Sequence, residues 1–412
     1  MKTMKVVNIP SSKSQTIRAL TLACFARGKS TLNNPLISSD TLSCINAIKA
    51  LNCAVEFNED SSVLYVDSTK LDIKNKSITI DTANSGTTTY LLYGLLASLE
   101  AKEIILTGDE QLNSRPIKKL AEAYKTLGVN YEIEGENPPV KLMGALQGGN
   151  VTIECKTSQY LSSLLLSLPL AKEDSTVTCS LLYEKPYVSL TLDWLDRQNI
   201  EYEISDDYLV SKIKGGQSYK PFETTLTGDF SSASFFFVAA AILGIAIKVN
   251  GLDKNDKQGD KRLLDILEEM GCEITWEDFA VIVKGPEKLM GGTFDLNDIP
   301  DALPVLSICG LKTETPLGLT NVEQARIKET DRISCMCQNL TSLGARVEEK
   351  PDGMIIYKSN NYNKGVTVKG FSDHRIIMAM AICSLMLDLN IDNTEAVNVT
   401  FPSFFELFNT IK

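Results

Sequence analysis

The sequence is short of the features that mark membrane, export, metal or nucleic-acid work. No apolar run approaches the roughly 18–20 residues that a helix needs to cross a bilayer. The opening stretch, Met1 to Pro10, has no apolar signal core, so a cytoplasmic chain is expected. None of the ten cysteines forms a CxxC pair, and several sit in apolar helical patterns. Cys335 and Cys337 are two apart and would point to different faces of a helix. Buried thiols in a reducing compartment are expected, with no metal ligation and no disulfides. There is a single histidine, His374. A basic excess is also missing: 41 Lys and Arg against 52 Asp and Glu give a net charge of −11. That balance argues against non-specific binding of nucleic acid or acidic membranes. A small anionic substrate remains possible, provided cations are gathered locally.

What is present is a soluble enzyme's composition, 43% hydrophobic and 23% charged over 412 residues. That length implies two domains of roughly 200 residues each. An internal repeat organises it. Six segments open with small polar residues and run into an apolar helix. Their markers are Ser14, Ser85, Ser158, Ser231, Asp301 and Asp373, separated by 71, 73, 73, 70 and 72 residues. Such constancy is the signature of a repeated structural unit. Between them recurs an amphipathic helix that ends at Asn52, Gly128, Asn199, Gly271 or Gly344 before a strand. These residue types suit the left-handed position just past a helix end. Each unit reads βαβαββ, and six units make three per domain.

The break is expected in the polar stretch near Lys220 to Asp229. It divides the chain into an N-terminal lobe, 11–225, and a C-terminal lobe, 1–10 plus 226–412, with the strand before Pro10 pairing in the second. The opening helices, such as Phe235-Phe-Phe-Val-Ala-Ala-Ala-Ile-Leu243, are too apolar for a surface. Helices inside and sheets outside is the implied packing. The helix N-termini, each a ready anion site, would then converge, three per lobe and facing the other lobe.

Several motifs lie at those helix starts. Lys13, Ser14 and Arg18 open the first, spaced to face one anion, although a capped helix with two solvated cations would read the same. Asn84-Ser-Gly86-Thr87-Thr88 opens the second, where Gly86 permits close approach of a ligand. Arg115 precedes Pro116 at a helix entrance. Thr157-Ser158-Gln159 opens the third and could be a plain N-cap, as could Ile299-Pro-Asp301. In Arg326-Ile-Lys328-Glu329-Thr-Asp331-Arg332, Lys328 and Arg332 are placed i, i+4 on one helix face. Ser372-Asp373-His374-Arg375 opens the last unit.

Together these motifs resemble the enolpyruvyl transferase family over almost the whole chain, in particular the branch that acts on shikimate 3-phosphate. The resemblance implies two lobes of three βαβαββ units, an inside-out α/β barrel. It implies that the 5-hydroxyl of shikimate 3-phosphate adds to C2 of phosphoenolpyruvate, that C3 is protonated, and that phosphate leaves a tetrahedral ketal. By resemblance Lys13, Ser14, Arg18, Thr157, Ser158, Gln159, Tyr187, Asp301, Gln324 and Lys328 bind shikimate 3-phosphate. Lys13, Gly86, Arg115, Gln159, Arg332 and Arg375 bind phosphoenolpyruvate. Asp301 is the candidate base for the 5-hydroxyl and Glu329 the proton donor to C3, with Lys13 contacting both substrates. No metal or cofactor is implied, and a monomer acting on small molecules is expected.

The chain departs from the family pattern at several places, among them Thr157 at a serine and Gln324 at a usual asparagine. Tyr90 stands at a usual arginine, Gln111 at a serine, and Val399 at a lysine that closes on phosphoenolpyruvate, so either weaker phosphoenolpyruvate affinity or a substitute such as Lys312 or Lys412 is expected. Glu184 replaces a serine that touches the 3-phosphate, and its side chain is expected to turn away. Two rival readings are the sister transferase acting on UDP-N-acetylglucosamine, whose loop cysteine is missing between Asp109 and Arg115, and a non-catalytic anion-binding repeat scaffold. A cyclase of RNA ends shares related units but needs a nucleophilic histidine, and His374 lies in the wrong context.

Overall fold

The computed structural model describes residues 4–412. It divides into two compact units, Lys13–Leu226 and residues 4–12 with Thr227–Lys412, so the chain passes between them twice. One repeat shows the plan. Strand Ser77–Asp81, helix Gly86–Ala97, strand Glu103–Thr107 and helix Lys118–Thr126 lead into the hairpin Val129–Ile133 and Val140–Gly144. The first two strands pair in parallel. The second then pairs with the fourth, and the fourth with the third, both antiparallel. The repeats at 149–213 and 293–357 have the same order.

The two remaining four-stranded sheets exchange their first strands. Lys5–Asn8 precedes the helix of the first repeat yet pairs in parallel with Ala246–Asn250 of the fourth. Glu223–Thr225 precedes the helix of the fourth repeat yet pairs with Lys29–Asn33 of the first. The sixth repeat is shorter. After the parallel pair Val366–Val368 and Leu389–Ile391, a 3₁₀ turn and the helix Phe404–Ile411 take the place of the second helix, and no hairpin follows among the described residues.

The opening helices of the six repeats are labelled α1 to α6: Lys13–Phe25, Gly86–Ala97, Ser158–Ser167, Phe230–Leu243, Leu303–Cys309 and His374–Cys383. Every residue of α6 is buried, and so is all of α4 except its last. The strands alternate, as in Val63–Asp67, where Leu64 and Val66 are buried and Tyr65 is exposed. Within each unit the helices therefore supply the core and the sheets its half-exposed cover. The turn residues fall as the sequence implies: Asn52, Gly128, Asn199, Gly271 and Gly344 all have φ between 55° and 103°. All ten cysteines are buried free thiols. No helix among the described residues is long and apolar enough to cross a membrane.

Candidate functional site

Within Lys13–Leu226 the predicted residues gather at the starts of α1, α2 and α3. Lys13, the first residue of α1, pairs with Asp40 at 2.9 Å. Asp40 opens the helix Ser39–Ala50, and no motif pointed to it. Arg18, one turn on, is 1% exposed. Its guanidinium donates to Thr191 Oγ1 at 3.0 Å, to the Tyr187 carbonyl at 3.2 Å and to the Ser14 carbonyl at 3.2 Å. Burial pushes its pKa down to about 10, and the guanidinium stays charged at neutral pH. Thr191 is a second residue the motifs missed, because only the fold brings it to Arg18.

A Cβ on Gly86, the first residue of α2, would stand 2.7 Å from Arg115 Nη1. The glycine thus lets a guanidinium lie against the helix start. Arg115 has the extended backbone expected before proline, with φ −94° and ψ 136°. Its Nη2 lies 3.4 Å from Asn84 Oδ1, and Asn84 in turn donates to Asp109 at 2.9 Å and to Gln111 at 2.7 Å. Tyr90 takes no charge role. Its hydroxyl and that of Tyr160 both donate to the Pro116 carbonyl, at 3.1 and 2.7 Å, and so pin the peptide between Pro116 and Ile117, one residue beyond Arg115.

Thr157 caps α3, its hydroxyl accepting from the Gln159 amide. Gln159 Nε2 lies 3.5 Å from Thr87 Oγ1, joining the starts of α3 and α2. Gln159 Oε1 is buried with no hydrogen-bond partner among the described residues. Glu184 overturns an expectation. It does not turn away: it is 2% exposed, and its Oε2 accepts from Ser158 Oγ at 3.0 Å, from the Ser158 amide at 3.3 Å and from Thr157 Oγ1 at 3.4 Å. The physical reason is the helix start itself, whose free amides and dipole favour any anion within reach.

Within the second unit the cluster is tighter. Arg332, 1% exposed, meets three carboxylates: Asp373 through Nε at 2.8 Å, Asp301 through Nη1 at 2.7 Å and Glu329 through Nη2 at 2.5 Å. Arg375 adds a bond from Nη2 to Asp301 at 2.9 Å and one from Nη1 to Ser231 Oγ at 2.7 Å. Ser231 lies in the first turn of α4, Asp301 just before α5, and Arg375 in the first turn of α6. One side chain therefore ties three helix starts together.

Burial alone would raise the Asp301 pKa, but Arg375, Arg332 and Lys328 together hold it well below the ordinary carboxylate range. Arg332 would be lowered by burial and is held up by Asp373, Glu329 and Asp301. Burial pushes His374 down to about 3, so it is neutral at physiological pH, and its Nε2 has no hydrogen-bond partner among the described residues.

The structure corrects the placing of Lys328. It ends a 3₁₀ turn, Glu323–Ile327, whereas Arg332 begins a separate helix, Arg332–Ser342, capped by Asp331. The two are not on one helix face. They reach Asp301 because the chain breaks at 328–331, where the Asp331 cap starts a new helix. Gln324 stays apart from the ion-pair network. Its Nε2 donates to the Asn297 carbonyl at 2.9 Å, and its Oε1 is buried without a partner among the described residues.

Neither substitute lysine is beside the cluster. Lys312 follows the C-terminal end of α5, while Asp301 precedes its start. At 1.5 Å per residue the two ends lie roughly 16 Å apart. Lys412 follows the helix whose Thr410 carbonyl accepts from Lys5, at the outset of strand Lys5–Asn8. The chain reaches the start of α4 only at Pro10, whose carbonyl accepts from the Asp229 amide. No group of three or more His, Cys, Asp or Glu among the described residues could hold a metal ion.

Repeated βαβαββ units whose buried helices open on guanidinium and carboxylate clusters are the build of an enolpyruvyl transferase, and known proteins narrow the class. The sequence pattern of the family described as EPSP synthase (3-phosphoshikimate 1-carboxyvinyltransferase) matches residues 2–408. The chain belongs to that family. It is 43% identical to a 3-phosphoshikimate 1-carboxyvinyltransferase of Ruminiclostridium cellulolyticum, over 97% of this chain and 94% of the relative. It is 34% identical to that of Methanococcus aeolicus, over 98% and 95%. The solved EPSP synthase of Acinetobacter baumannii superposes with a TM-score of 0.80 at 24% identity, covering 98% of this chain and 95% of that one, which speaks for the fold.

Proposed function

We propose that this chain carries out the reaction for which its relatives are named, transferring the enolpyruvyl group of phosphoenolpyruvate to the 5-hydroxyl of shikimate 3-phosphate. The observation that carries the reading is the Arg332 network, with Asp301, Glu329 and Asp373 on one guanidinium and Arg375 alongside. Asp301 takes the proton of the attacking hydroxyl as its oxygen bonds to C2. Glu329 gives a proton to C3. Loss of phosphate from the resulting ketal, with return of the C3 proton, restores the double bond in the product. Arg115, Lys13, Arg332 and Arg375 hold the phosphate and carboxylate of phosphoenolpyruvate, with Gly86 and Gln159 beside them. Ser14, Arg18, Thr157, Ser158, Gln159, Tyr187, Gln324 and Lys328 position shikimate 3-phosphate.

The low pKa of Asp301 makes it a weak base while Arg332 and Arg375 face it. A ligand anion that draws those guanidiniums away returns Asp301 toward the ordinary range, so basicity arrives with the substrate. The chemistry calls on no metal, nucleotide or other cofactor. We place the protein in the cytoplasm, working as a monomer on small molecules without nucleic acid.

The test is to incubate the purified chain with both substrates in a chelator and follow phosphate. The expected result is one phosphate released per phosphoenolpyruvate consumed, only when both are present, and none with UDP-N-acetylglucosamine as acceptor. Binding of both substrates with no release would favour the anion-binding scaffold instead.

A further inference from the structure

We propose that Glu184 is a built-in competitor for the phosphate of the acceptor substrate and sets how tightly that phosphate is held. The inference rests on the functional reading above, which gives the 3-phosphate to Thr157 and Ser158. Those donors are already engaged. One carboxylate oxygen of Glu184 accepts from Thr157 Oγ1, Ser158 Oγ and the Ser158 amide, all within 3.4 Å. The carboxylate thus stands where the amides and dipole of α3 favour an anion, in a residue only 2% exposed. A phosphate cannot take the same three donors while the carboxylate holds them, and two anions side by side in a buried site repel strongly. Binding is therefore an exchange in which the incoming phosphate replaces an internal carboxylate.

The backbone at Glu184 is held independently of its side chain. Glu184 sits at the cap position of helix Lys185–Arg197 with φ 59° and ψ 42°, and its own carbonyl is fixed by the Tyr187 amide. The backbone is anchored, and the side chain turns about its own bonds. Part of the phosphate's binding energy therefore goes to moving the Glu184 carboxylate off these donors.

The experiment compares the wild-type chain with Glu184→Gln and Glu184→Asn. Glutamine keeps the size and removes the charge. Asparagine is too short to reach Ser158 and tolerates a left-handed backbone. Binding of shikimate 3-phosphate and of unphosphorylated shikimate is titrated for each, alongside thermal midpoints and steady-state KM and kcat. The expected result is a dissociation constant for shikimate 3-phosphate about tenfold lower in both variants, with that for shikimate altered less than twofold. The KM for phosphoenolpyruvate should hold steady. A change of equal factor for both acceptors, or weaker binding of shikimate 3-phosphate, would mean that Glu184 only supports the loop and would overturn the inference. If the wild-type chain turns over both substrates yet the variants leave the ratio unmoved, the inference alone fails. If the wild-type chain releases no phosphate at all, the functional reading fails and the inference falls with it.

Discussion

Arg332→Met is expected to cost both stability and turnover, and the two losses should be separable. The side chain is 1% exposed and Asp373 fully buried, so removing the guanidinium strands a carboxylate left with the Thr330 hydroxyl and the Arg375 amide among the described residues. Breaking a buried pair by deleting one partner costs about 3–5 kcal/mol, which lowers the thermal midpoint of a unit this size by roughly 10 °C. Asp301 suffers less, because Arg375 still faces it. Turnover should fall by about 10²–10³ or more, the usual loss when a preorganised charge donor to a reacting group is removed. Adding Asp373→Asn should recover much of the midpoint, since the stranded charge is gone, while turnover stays lost. A single variant with an unchanged midpoint would mean that the network is not what holds these helix starts together.

Glu329→Gln should show the opposite pattern, a loss of turnover with little loss of stability. Glu329 lies at the broken segment between the 3₁₀ turn and the helix of Arg332, with its side chain 15% exposed. Glutamine can keep one hydrogen-bonding contact with Arg332 and needs no repacking. It cannot donate and recover a carboxylic proton. A positioned general acid contributes about 10²–10⁴ in rate, so kcat should drop within that range while both KM values stay within a few fold. Run in deuterated water, the wild-type reaction should place deuterium on C3 of the product, and the variant should do so more slowly by the same factor as kcat. Full activity in the glutamine variant would remove Glu329 from the chemistry.

The regular parts of this molecule were legible because they obey local rules. The left-handed turn positions from Asn52 to Gly344 combine an apolar helical period with Asn or Gly at one offset, and backbone sterics leave few alternatives. The small polar openings of the six helices could be read for the same reason. Non-local pairing was harder to see. That Glu223–Thr225 returns to Lys29–Asn33 depends on chain segments about 190 residues apart, and a three-residue strand has almost no pattern of its own.

The site divides along the same line. Arg332 and Arg375 could be named from their motifs, but the bond from Arg375 to Ser231 could not, since it crosses 144 residues. Asp40 beside Lys13 and Thr191 beside Arg18 were invisible for that reason too. Lys328 and Arg332 misled because i, i+4 spacing implies one helix face only when a helix is continuous, and the Asp331 cap interrupts it. Glu184 misled through charge alone. Repulsion from a phosphate said that it should turn out, yet the donors at the start of α3 draw it in.

The proposed reaction requires that both Arg115 and Arg375 act on phosphoenolpyruvate. The direct measurement is the KM for phosphoenolpyruvate in Arg115→Ala, in Arg375→Ala and in the double variant, at saturating shikimate 3-phosphate. The account predicts that each single change raises this KM by about tenfold or more, and that the double change raises it by less than the product of the two, as groups sharing one ligand do. If either arginine can be removed with this KM unmoved, the two clusters serve different ligands and the proposed reaction is contradicted.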